Sequence, residues 1–541
     1  MAAEKMAEET QTTQKQIIAV DIEFVGRVII LAIGLLLLSR NVNGWFTGWR
    51  EENNALYSIF ARNHVQYGLG YTKLFNTWGD TAAPPAQPHR YLNHPPLLSV
   101  WVAIPMYVFG DHEWVARSVP IATTLGSVLL LMIIVSRLQS PALGLLSGLF
   151  YVTLPLITYF GRMLDHESPV QFFSLLMLHG YLQWTGIYGG EYSRKAGALY
   201  YALGTILGIG TGWTAIVMAV LIWLWHIGRT FGSSLQHKIL LWVTIIPAAS
   251  QAAVILHIMW GCQWKTKWLG ALLLSRTVGP QHPLSWSGWF SENFVYLREN
   301  VSDFGIAAAV VYLLVTAVSL RLGDNKKPFL QKIMHTKIFI ISVLLMMLQG
   351  LIWILAFRHQ SSAHDYWQYF LGPFFAVAIA AVLQWIFALL SEWMPRTAKP
   401  VVLLLAMLPM PSFAYAYDML YQYQIKGRSD EVAFFKKLAE LVPPRVPVMA
   451  SEKLPEFSET YGDYTNCWTE PYLAYYVNRR VVSSTDIKEI ESNREGCAAY
   501  VISQTGDPDM ERLVQQLSVK YEQVRADENV LIFFLNRPKD K

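Results

Sequence analysis

The sequence is poor in charged residues and in cysteine. Only 15% of its 541 residues are charged, and 53% are hydrophobic. A soluble protein has roughly a quarter of its residues charged, so these values and the mean hydropathy of +0.28 exclude a single soluble domain. Three cysteines are too few for a disulfide scaffold. The net charge of +4 is small and gives no reason to expect a nucleic-acid partner.

The N-terminus lacks the apolar core of a cleavable signal peptide. Residues 1–21 are mostly polar, and the first long apolar run follows at 22–39. A signal peptide needs an apolar segment of about 7–15 residues behind a short basic start. We therefore predict that 1–21 is a cytoplasmic tail and that 22–39 stays in the protein as a membrane anchor.

Long apolar runs fill residues 22–425 and predict a polytopic α-helical membrane protein. A membrane-spanning helix needs about 20 apolar residues, with about 17 as the lower limit. About eleven segments qualify if the run 197–228 holds two helices separated by a tight turn at 208–213. The other predicted spans are 22–39, 116–136, 140–160, 168–187, 239–260, 303–321, 337–357, 366–392 and 399–420.

The run 95–110 is predicted to lie on the membrane surface, because it is short, begins with two prolines and contains Pro105. Lys and Arg collect in cytoplasmic loops, and the basic loops share one side only if this run does not cross. A second interfacial helix is predicted over 52–67, where Leu56, Ile59 and Phe60 have near-helical spacing. The outer side then holds the loops 40–115, 161–167, 261–302 and 358–365, together with the tail.

The tail, residues 426–541, reads as a soluble domain in which helices and strands alternate. Ser429 or Asp430 caps a predicted helix that ends at Val442. Further predicted elements are helices at 471–478 and 508–518 and strands near 446–450, 480–483, 498–503, 521–525 and 529–535. This pattern predicts a small extracytoplasmic α/β domain. The tail contains no glycine-rich phosphate loop and no paired metal motif.

Acidic residues occur in two of the predicted outer loops. Glu51 and Glu52 follow the first span, and Asp165 and Glu167 lie between two spans. A carboxylate in such a place can accept a proton from an attacking hydroxyl or amine, and the second pair is also a candidate ligand set for a divalent cation. Alternatively, these acids cap or begin helices, where the helix dipole favours them.

Basic and aromatic residues occur in the outer loops as well. The last outer loop contains Arg358, His359, His364, Asp365 and Tyr366. Arg90 and His94 come just before a pair of prolines, which fixes a bend. Arginine binds phosphate through a planar, two-pronged donor, so a lipid phosphate at the outer interface is a candidate ligand. Alternatively, these residues form a rigid turn and an interfacial aromatic belt.

Together these segments resemble the GT-C superfamily of membrane glycosyltransferases. The similarity is greatest to the dolichyl-phosphate-mannose-protein mannosyltransferase group (family 39), which includes aminoarabinose transferases. It rests on the acidic motif after the first span, HPPL at 94–97, Gly110 followed by EWVAR at 113–117, GRMLDHE at 161–167 and HDY at 364–366. The tail is similar to the soluble domains of bacterial members around PYLAYYVNRR at 471–480.

The resemblance implies a polyprenyl-phosphate sugar donor, an inverting transfer and a catalytic acid in the first outer loop. Members often carry Asp-Glu four residues before a tyrosine, but that place before Tyr57 holds Asn53 and Asn54. Asparagine cannot serve as a base. Glu52 is therefore the predicted base, with Glu51 as the second choice.

The remaining roles are predicted from the resemblance and from charge. Asp165 matches the family's acid in the second outer loop and is expected to orient the base or the acceptor. The donor phosphate is assigned to Arg358, His359, His364 and Arg90, and the positioning of donor or acceptor to His94, Glu167, Asp365 and Tyr366. No cofactor is required in this interpretation, and Asp165 with Glu167 is the alternative divalent-metal site.

The predicted activity is an inverting hexosyl- or pentosyltransfer from a polyprenyl-phosphate carrier to a protein, lipid or glycan acceptor at the outer membrane face. One alternative is an oligosaccharyltransferase with a pyrophosphate-linked donor. Another is a transporter or lipid flippase, which would carry a polar path at the membrane midplane. We expect the plasma membrane of a prokaryote, with the endoplasmic reticulum as the alternative. In a bacterium Cys467 and Cys497 would face an oxidising compartment and are predicted to pair.

Overall fold

Most of the chain folds into α-helices, and a small β-sheet lies near its C-terminal end. The computed structural model describes residues 22–48, 50–78, 89–189, 192–229, 234–264, 270, 285–322, 336–426, 429–442, 448–451, 471–478, 481–494, 497, 499–503, 508–527 and 530–538.

The helices of the first half surround a short antiparallel hairpin. They are α1 (22–38), α2 (Glu52–Tyr67), α3 (Leu69–Thr72), α4 (Leu97–Phe109), α5 (Glu113–Leu138), α6 (Pro141–Thr153), α7 (Pro155–Phe160), α8 (Glu167–Trp184), α9 (Arg194–Thr211), α10 (Ala215–Ile227) and α11 (Ser234–Gly261). The hairpin consists of β1 (Asn76–Trp78) and β2 (His89–Tyr91).

The second half begins with long helices and continues into the tail. Its helices are α12 (Trp286–Leu322), α13 (Lys337–Ala356), α14 (Arg358–Ala363), the 3₁₀-helix Asp365–Leu371, α15 (Gly372–Trp393), α16 (Ala398–Met407), α17 (Met410–Lys426), α18 (Ser429–Leu441), α19 (Pro471–Val477), α20 (Ile487–Ser492) and α21 (Pro508–Lys520). Helix α12 is interrupted at Ser302, whose φ is +71°.

Five of the described helical segments are long and apolar enough to cross a membrane. They are Glu113–Leu138, Leu235–Gly261, Trp286–Arg321, Lys337–Ala356 and Asp365–Trp393. Helices α4, α6, α10 and α16 are apolar but shorter. The predicted polytopic helical membrane protein is therefore confirmed, whereas the number of about eleven spans and their orientation stay predictions.

Prolines break two of the predicted spans into two helices each. The segment 140–160 divides into α6 and α7 at Pro155, and 399–420 divides into α16 and α17 next to Pro409. A proline cannot donate a backbone hydrogen bond, and its ring clashes with the preceding turn. A single continuous helix over either segment was therefore a wrong prediction.

The turn predicted at 208–213 lies instead at 212–214, between α9 and α10. The glycines before it stay helical because α9 packs closely on α8. A Cβ atom at Gly204 would lie 2.6 Å from the backbone nitrogen of Met177, and one at Gly208 would lie 3.1 Å from the Cβ of Phe173. Small residues let two helix backbones approach each other. These glycines therefore allow helix packing and do not form the turn.

Helix α2 is mostly buried and lacks the exposed face expected of an amphipathic helix, whereas its place at the membrane surface stays a prediction. Every residue from Asn54 to His64 is buried, because α4 and α19 both pack against α2. A buried polar group is costly unless it finds a partner. Arg62 pairs with Asp111. Asn54 of α2 donates to Glu51, whereas the hydroxyl of Ser58 has no partner among the described residues.

Helix α4, over the run 95–110, has one buried and one exposed face, as expected of an interfacial helix. Leu98 and Val102 are fully buried. Tyr107, Val108 and Phe109 are 57–79% exposed, and exposed aromatic and apolar side chains favour the boundary between lipid and water. The place of α4 at that boundary stays a prediction.

The tail contains the predicted sheet with helices around it. Its strands are β3 (Val448–Ala450), β4 (Val481–Ser483), β5 (Ala499–Ser503), β6 (Tyr521–Asp527) and β7 (Val530–Pro538), in the order β4-β3-β5-β7-β6. Strand β3 is parallel to β4 and β5, and β7 is antiparallel to β5 and β6. The short helix α20 was not predicted. The predicted pairing of Cys467 with Cys497 cannot be followed, since Cys467 lies outside the described residues.

The first outer loop and the tail share one hydrophobic core. Phe46, Leu56 and Phe60 from the loop belong to the same buried cluster as Phe435 and Tyr472 from the tail. The membrane helices form a separate, larger cluster. The domain boundary at 425–426 stays a prediction. Part of the apolar surface of the tail is buried against the first outer loop.

We predict that lowering the pH destabilises the protein through His64. This side chain contacts the hydroxyls of Thr72 and Ser99, and burial lowers its pKa to about 4. Below its ordinary pKa of about 6.5 the unfolded chain takes up a proton that the folded His64 resists. The free energy of unfolding should therefore fall by about 2 kcal/mol between pH 7 and pH 5 on this account.

The test is thermal unfolding of the detergent-solubilised protein, followed by tryptophan fluorescence at both pH values. The decrease in melting temperature on acidification should be smaller in His64→Asn than in the wild type. Exposed His112 is the matched control, and His112→Asn should keep the wild-type pH dependence. Equal pH dependence in all three proteins would contradict the prediction.

Candidate active site

The first two outer loops meet through a pair of asparagines. The Asn53 side-chain amide donates a hydrogen bond of 2.7 Å to Asp165 Oδ2. Asn54 Oδ1 accepts one of 2.5 Å from the backbone nitrogen of Leu164. These are the residues found where the resemblance led us to expect acids. They connect the start of α2 to the second outer loop.

Glu51 is buried and fully occupied by donors. One carboxylate oxygen accepts from the backbone nitrogens of Thr47 (2.8 Å) and Gly48 (2.9 Å). The other accepts from Arg117 (2.7 Å) and Asn54 (3.2 Å). Burial alone would raise the pKa of this carboxyl, but the charges of Arg117 and Arg162 outweigh burial, and the pKa is lowered. Glu51 is therefore ionised and already paired.

Two buried arginines fix the chain just before Glu51. Arg117 donates to the backbone oxygens of Val42 (3.0 Å), Gly44 and Trp45 (3.2 Å) in addition to Glu51. Arg162 donates to the backbone oxygens of Arg40 and Asn41. Each arginine belongs to one of the recognised motifs, EWVAR and GRMLDHE. The motifs therefore hold the first outer loop in place.

Asp165 is buried and lies in a polar network. Its Oδ1 accepts from the backbone nitrogen of His166 (2.7 Å) and is 2.8 Å from the Nδ1 atom of the same residue. The hydroxyl oxygen of Tyr57 lies 3.3 Å from the Nδ1 atom of His166. The ring of His94 stacks on the ring of His166 at 4.2 Å, so the HPPL segment reaches the second outer loop as well.

Several buried polar atoms near Asp165 lack a partner among the described residues. They are Asn93 Oδ1, His166 Nε2, Glu167 Oε2 and both amide atoms of Gln171. Each of these residues is more than nine-tenths buried. Burial and the neighbouring Asp165 raise the pKa of the Glu167 carboxyl. Unpaired buried polar atoms are costly, and they commonly mark a binding site or an ordered water.

Glu52 is held differently from its neighbour Glu51. Its side chain is half-buried, and its Oε2 accepts a hydrogen bond of 3.3 Å from the hydroxyl of Tyr472 in α19. It also lies, with Asp365 and Arg162, within electrostatic range of Tyr159. The predicted base therefore lies where the first outer loop, the bundle and the tail meet.

The last outer loop reaches this region through Arg50. The guanidinium of Arg50 lies 3.4 Å from Asp365 Oδ1, donates to the backbone oxygen of Ala363, and is 6.0 Å from the ring of Tyr366. Tyr366 is buried within electrostatic range of Asp165 and Glu167. Asp365 and Tyr366, two of the residues predicted to position substrate, thus lie beside the acidic residues of this region.

The residues predicted to bind phosphate are not gathered in one cluster. Arg358 stacks on Trp286 at 4.4 Å, and His364 lies 5.3 Å from Trp367. His359 Nδ1 is buried without a partner among the described residues. Arg90 donates to the backbone oxygen of Gly261 (3.1 Å) and lies over the ring of Phe75. Arg90 therefore neutralises the C-terminal end of α11.

The carboxylates of the second outer loop fit a metal ion poorly. Both oxygens of Asp165 already accept hydrogen bonds, one from Asn53 and one from the backbone of His166. A divalent cation such as Mg²⁺ or Ca²⁺ needs about six oxygen ligands. Over the described ranges, no three His, Cys, Asp or Glu side chains are grouped as metal ligands would be. The alternative metal site at Asp165 and Glu167 therefore has no support in the geometry.

Four residues of this region were missing from the predicted site: Arg50, Asn53, His166 and Tyr472. Three of them lie inside segments that carried the resemblance, namely WREE, GRMLDHE and PYLAYYVNRR. Asn53 was noted only as a departure from the family pattern. Proximity to a recognised motif was the available signal, but the contacts themselves join residues 109–420 positions apart.

Comparison with known proteins identifies the fold. Residues 93–273 match the model of a family described as dolichyl-phosphate-mannose-protein mannosyltransferase. This segment contains the HPPL, EWVAR and GRMLDHE motifs, and it is less than half of the chain. No individual curated protein sequence matches the chain.

Solved structures of three membrane transferases are similar over most of the chain. ArnT from Cupriavidus metallidurans bound to undecaprenyl phosphate has a TM-score of 0.62 and 12% identity, covering 94% of this chain and 97% of that one. The oligosaccharyltransferase AglB from Archaeoglobus fulgidus, with an inhibitory peptide and a dolichol-phosphate, has a TM-score of 0.53 and 13% identity, covering 93% and 72%. It has also been solved with Zn and sulfate (TM-score 0.50, 11% identity, 92% and 71%). Mycobacterial AftD, an arabinofuranosyltransferase, has a TM-score of 0.50 and 12% identity, covering 94% and 40%.

These comparisons confirm the resemblance that the motifs indicated. The chain has the GT-C fold, with apolar helices and a small sheet region at the C-terminal end. At 11–13% identity the solved structures establish the fold and not the substrate. The substrate must be inferred from the site.

We predict that Arg117→Met destabilises the protein strongly, because it leaves the buried Glu51 carboxylate without its cation. Removing one partner of a buried ion pair costs about 3–5 kcal/mol. The matched control is Arg298→Met, which removes the arginine of an exposed pair with Asp303, and an exposed pair contributes at most about 1 kcal/mol. Thermal unfolding in detergent compares the two variants. Equal, small losses of stability would contradict the structural role assigned to Glu51.

Proposed function

We propose that this protein transfers a sugar from a polyprenyl-phosphate carrier to an acceptor, with inversion, at the outer face of the membrane. The observation that supports this proposal is the meeting of three outer loops around Glu52, Asp165 and the Arg50–Asp365 pair. Next to them lie buried polar atoms that have no hydrogen-bond partner in the part of the chain that the structure describes. A carboxylate beside hydrogen-bond donors and acceptors that still need partners is suited to a hydroxyl-rich ligand.

In the proposed reaction Glu52 accepts the proton of the acceptor hydroxyl or amine. The acceptor atom attacks the anomeric carbon of the sugar from the face opposite the phosphate. The bond between that carbon and the phosphate oxygen breaks as the new bond forms, and polyprenyl phosphate leaves with the electron pair. A phosphate monoester is a good leaving group, so the step requires no nucleotide. Glu51 is assigned a structural role, because its oxygens already have four donors.

Asp165 is assigned to orient the sugar or the acceptor. Asn53 and His166 fix its carboxylate from two sides, so its position is set before the substrate binds. Glu167 and Gln171 lie on α8 and offer both donors and acceptors, and His94 stacks on the neighbouring His166. Sugar hydroxyls donate and accept hydrogen bonds, and they would satisfy the atoms of Glu167 and Gln171 that have no partner among the described residues.

The donor phosphate is assigned to the basic side chains of the last outer loop, Arg358 with His359 and His364, and we add Arg50. Arg50 lies beside Asp365 and Tyr366 and is the chain neighbour of the two acids. Arg90 is removed from this assignment, since it already binds the end of α11. Arginine in a partly dry site holds phosphate by charge-assisted bonds. The membrane is assigned as the plasma membrane of a prokaryote, with the endoplasmic reticulum as the alternative.

A second candidate function is transfer from a pyrophosphate-linked donor. The likeness of the fold to an oligosaccharyltransferase favours this candidate. A pyrophosphate-linked donor carries more negative charge than a phosphate-linked one. The second candidate function therefore needs additional positive charge beside the donor, which a metal ion would supply. The poor fit of Asp165 and Glu167 to a metal favours the phosphate-linked donor.

We predict that Glu52→Gln reduces transfer by about 10²–10⁴-fold, since it removes the general base. Transfer from radiolabelled polyprenyl-phosphate sugars is measured with purified protein in lipid vesicles. Asp165→Asn should reduce the rate less, by about tenfold, because the amide oxygen can still accept from one of the two donors, Asn53 or the backbone of His166, and only the other bond is lost. The control is Glu292→Gln, which changes an exposed acid away from the group. Full activity of Glu52→Gln would remove Glu52 from its proposed role.

We predict that a chelator leaves the transfer rate unchanged. The same assay is run with and without excess EDTA, followed by addition of Mg²⁺, Mn²⁺ or Zn²⁺. Loss of activity with EDTA and recovery with one of these ions would favour the pyrophosphate-linked donor and a metal at the outer carboxylates. In that case Asp165→Asn should abolish the recovery.

A further inference from the structure

We propose that the C-terminal domain contributes a positioning residue, Tyr472, that holds Glu52 in its ionised state for proton transfer. This inference rests on the proposed function and assigns a role to a domain that sequence similarity left without one. The Tyr472 hydroxyl lies 3.3 Å from Glu52 Oε2 and 3.4 Å from the backbone oxygen of Gly48. Tyr472 is fully buried, so its hydroxyl is shielded from competing water.

A single phenolic hydrogen serves two acceptors in this geometry. When Glu52 is ionised, its carboxylate is the stronger acceptor and receives the hydrogen bond. When Glu52 takes the acceptor's proton, it becomes a weaker acceptor, and the hydroxyl turns to the oxygen of Gly48. No heavy atom needs to move between the two states. The hydroxyl therefore favours the charged form of Glu52 without obstructing its protonation.

Helix α19 is fixed to the first outer loop by contacts that do not involve the Tyr472 hydroxyl. The hydroxyl of Tyr475 donates to Asp111 (3.2 Å), and that of Tyr476 accepts from the backbone nitrogen of Phe46 (2.6 Å). Arg62 donates to the backbone oxygen of Tyr475 (3.2 Å) and pairs with Asp111. The loss of one hydroxyl at position 472 should therefore leave α19 in place.

Other charged and titratable groups lie in the same region as Glu52 and Tyr472. Tyr159 is within electrostatic range of Glu52, Glu51, Asp365 and Arg162. Arg117 pairs with Glu51 and Arg50 with Asp365, while Lys436 of the tail lies over Trp45. Substitution of Tyr472 by phenylalanine changes none of them. A change in the titration of Glu52 in that variant would therefore report the hydroxyl itself.

The test compares Tyr472→Phe with Tyr475→Phe, which removes a hydroxyl one turn nearer the end of the same helix. The rate constant kcat and KM for the lipid-phosphate sugar are measured between pH 4.5 and pH 8. In Tyr472→Phe we expect kcat to fall by about threefold to tenfold and the acid limb of its pH profile to rise by about half a pH unit. The donor KM should change little. Tyr475→Phe should keep the wild-type acid limb.

A double substitution completes the test. In Glu52→Gln the residual rate has no carboxylate to respond to the hydroxyl, so Tyr472→Phe should lower it no further. An unchanged acid limb in Tyr472→Phe, an equal change in Tyr475→Phe, or a further fall in the double variant would each overturn the inference while leaving the proposed function standing. A wild-type protein that transfers from no lipid-phosphate sugar would overturn the proposed function and this inference with it.

Discussion

The buried ion pair of Glu51 and Arg117 fixes the position of the first outer loop, and the site depends on that position. Arg117 is wholly buried and binds the carboxylate together with three backbone oxygens before it. Such a pair needs further hydrogen bonds to offset the loss of water. Thr47, Gly48 and Asn54 supply them to the carboxylate, whereas Arg117 Nε has no partner among the described residues. Since α2 begins immediately afterwards, the pair also determines where Glu52 and Asn53 point.

The same loop links the two parts of the molecule. On one side it is bound by Arg117 and Arg162 from the bundle, and on the other its apolar residues share a core with the tail. The tail covers α2 and reaches the predicted base through Tyr472. Moving a soluble domain away from a loop with which it shares a core costs free energy, because the apolar surface of both would be exposed to water. The tail is therefore part of the site's architecture.

The sequence was informative wherever structure depends on neighbours along the chain. The bounds of α2, α13 and α19 follow from periodicity, prolines and caps, and the motifs marked the segments that meet at the site. The failures came from distant contacts. The periodicity of α2 predicted one exposed face, but that face is covered by a helix more than 400 residues later. Asn53 was interpreted from the sequence as a position where the acidic residue of the family is missing. In the structure its side-chain amide donates a hydrogen bond to the carboxylate of Asp165.

The contrast between Glu51 and Glu52 explains why adjacent carboxyls need not share a role. Successive residues at the start of a helix point about 100° apart, so Glu51 faces Arg117 in the bundle and Glu52 faces Tyr472 in the tail. The first is buried, ionised and surrounded by donors, which leaves it no capacity to take a proton. The second is half-buried beside a neutral donor. A base must be able to take up a proton, and because four donors already hold the Glu51 carboxylate, we assign that role to Glu52. Environment, and not residue type, divides the two acids into a structural anion and a candidate base.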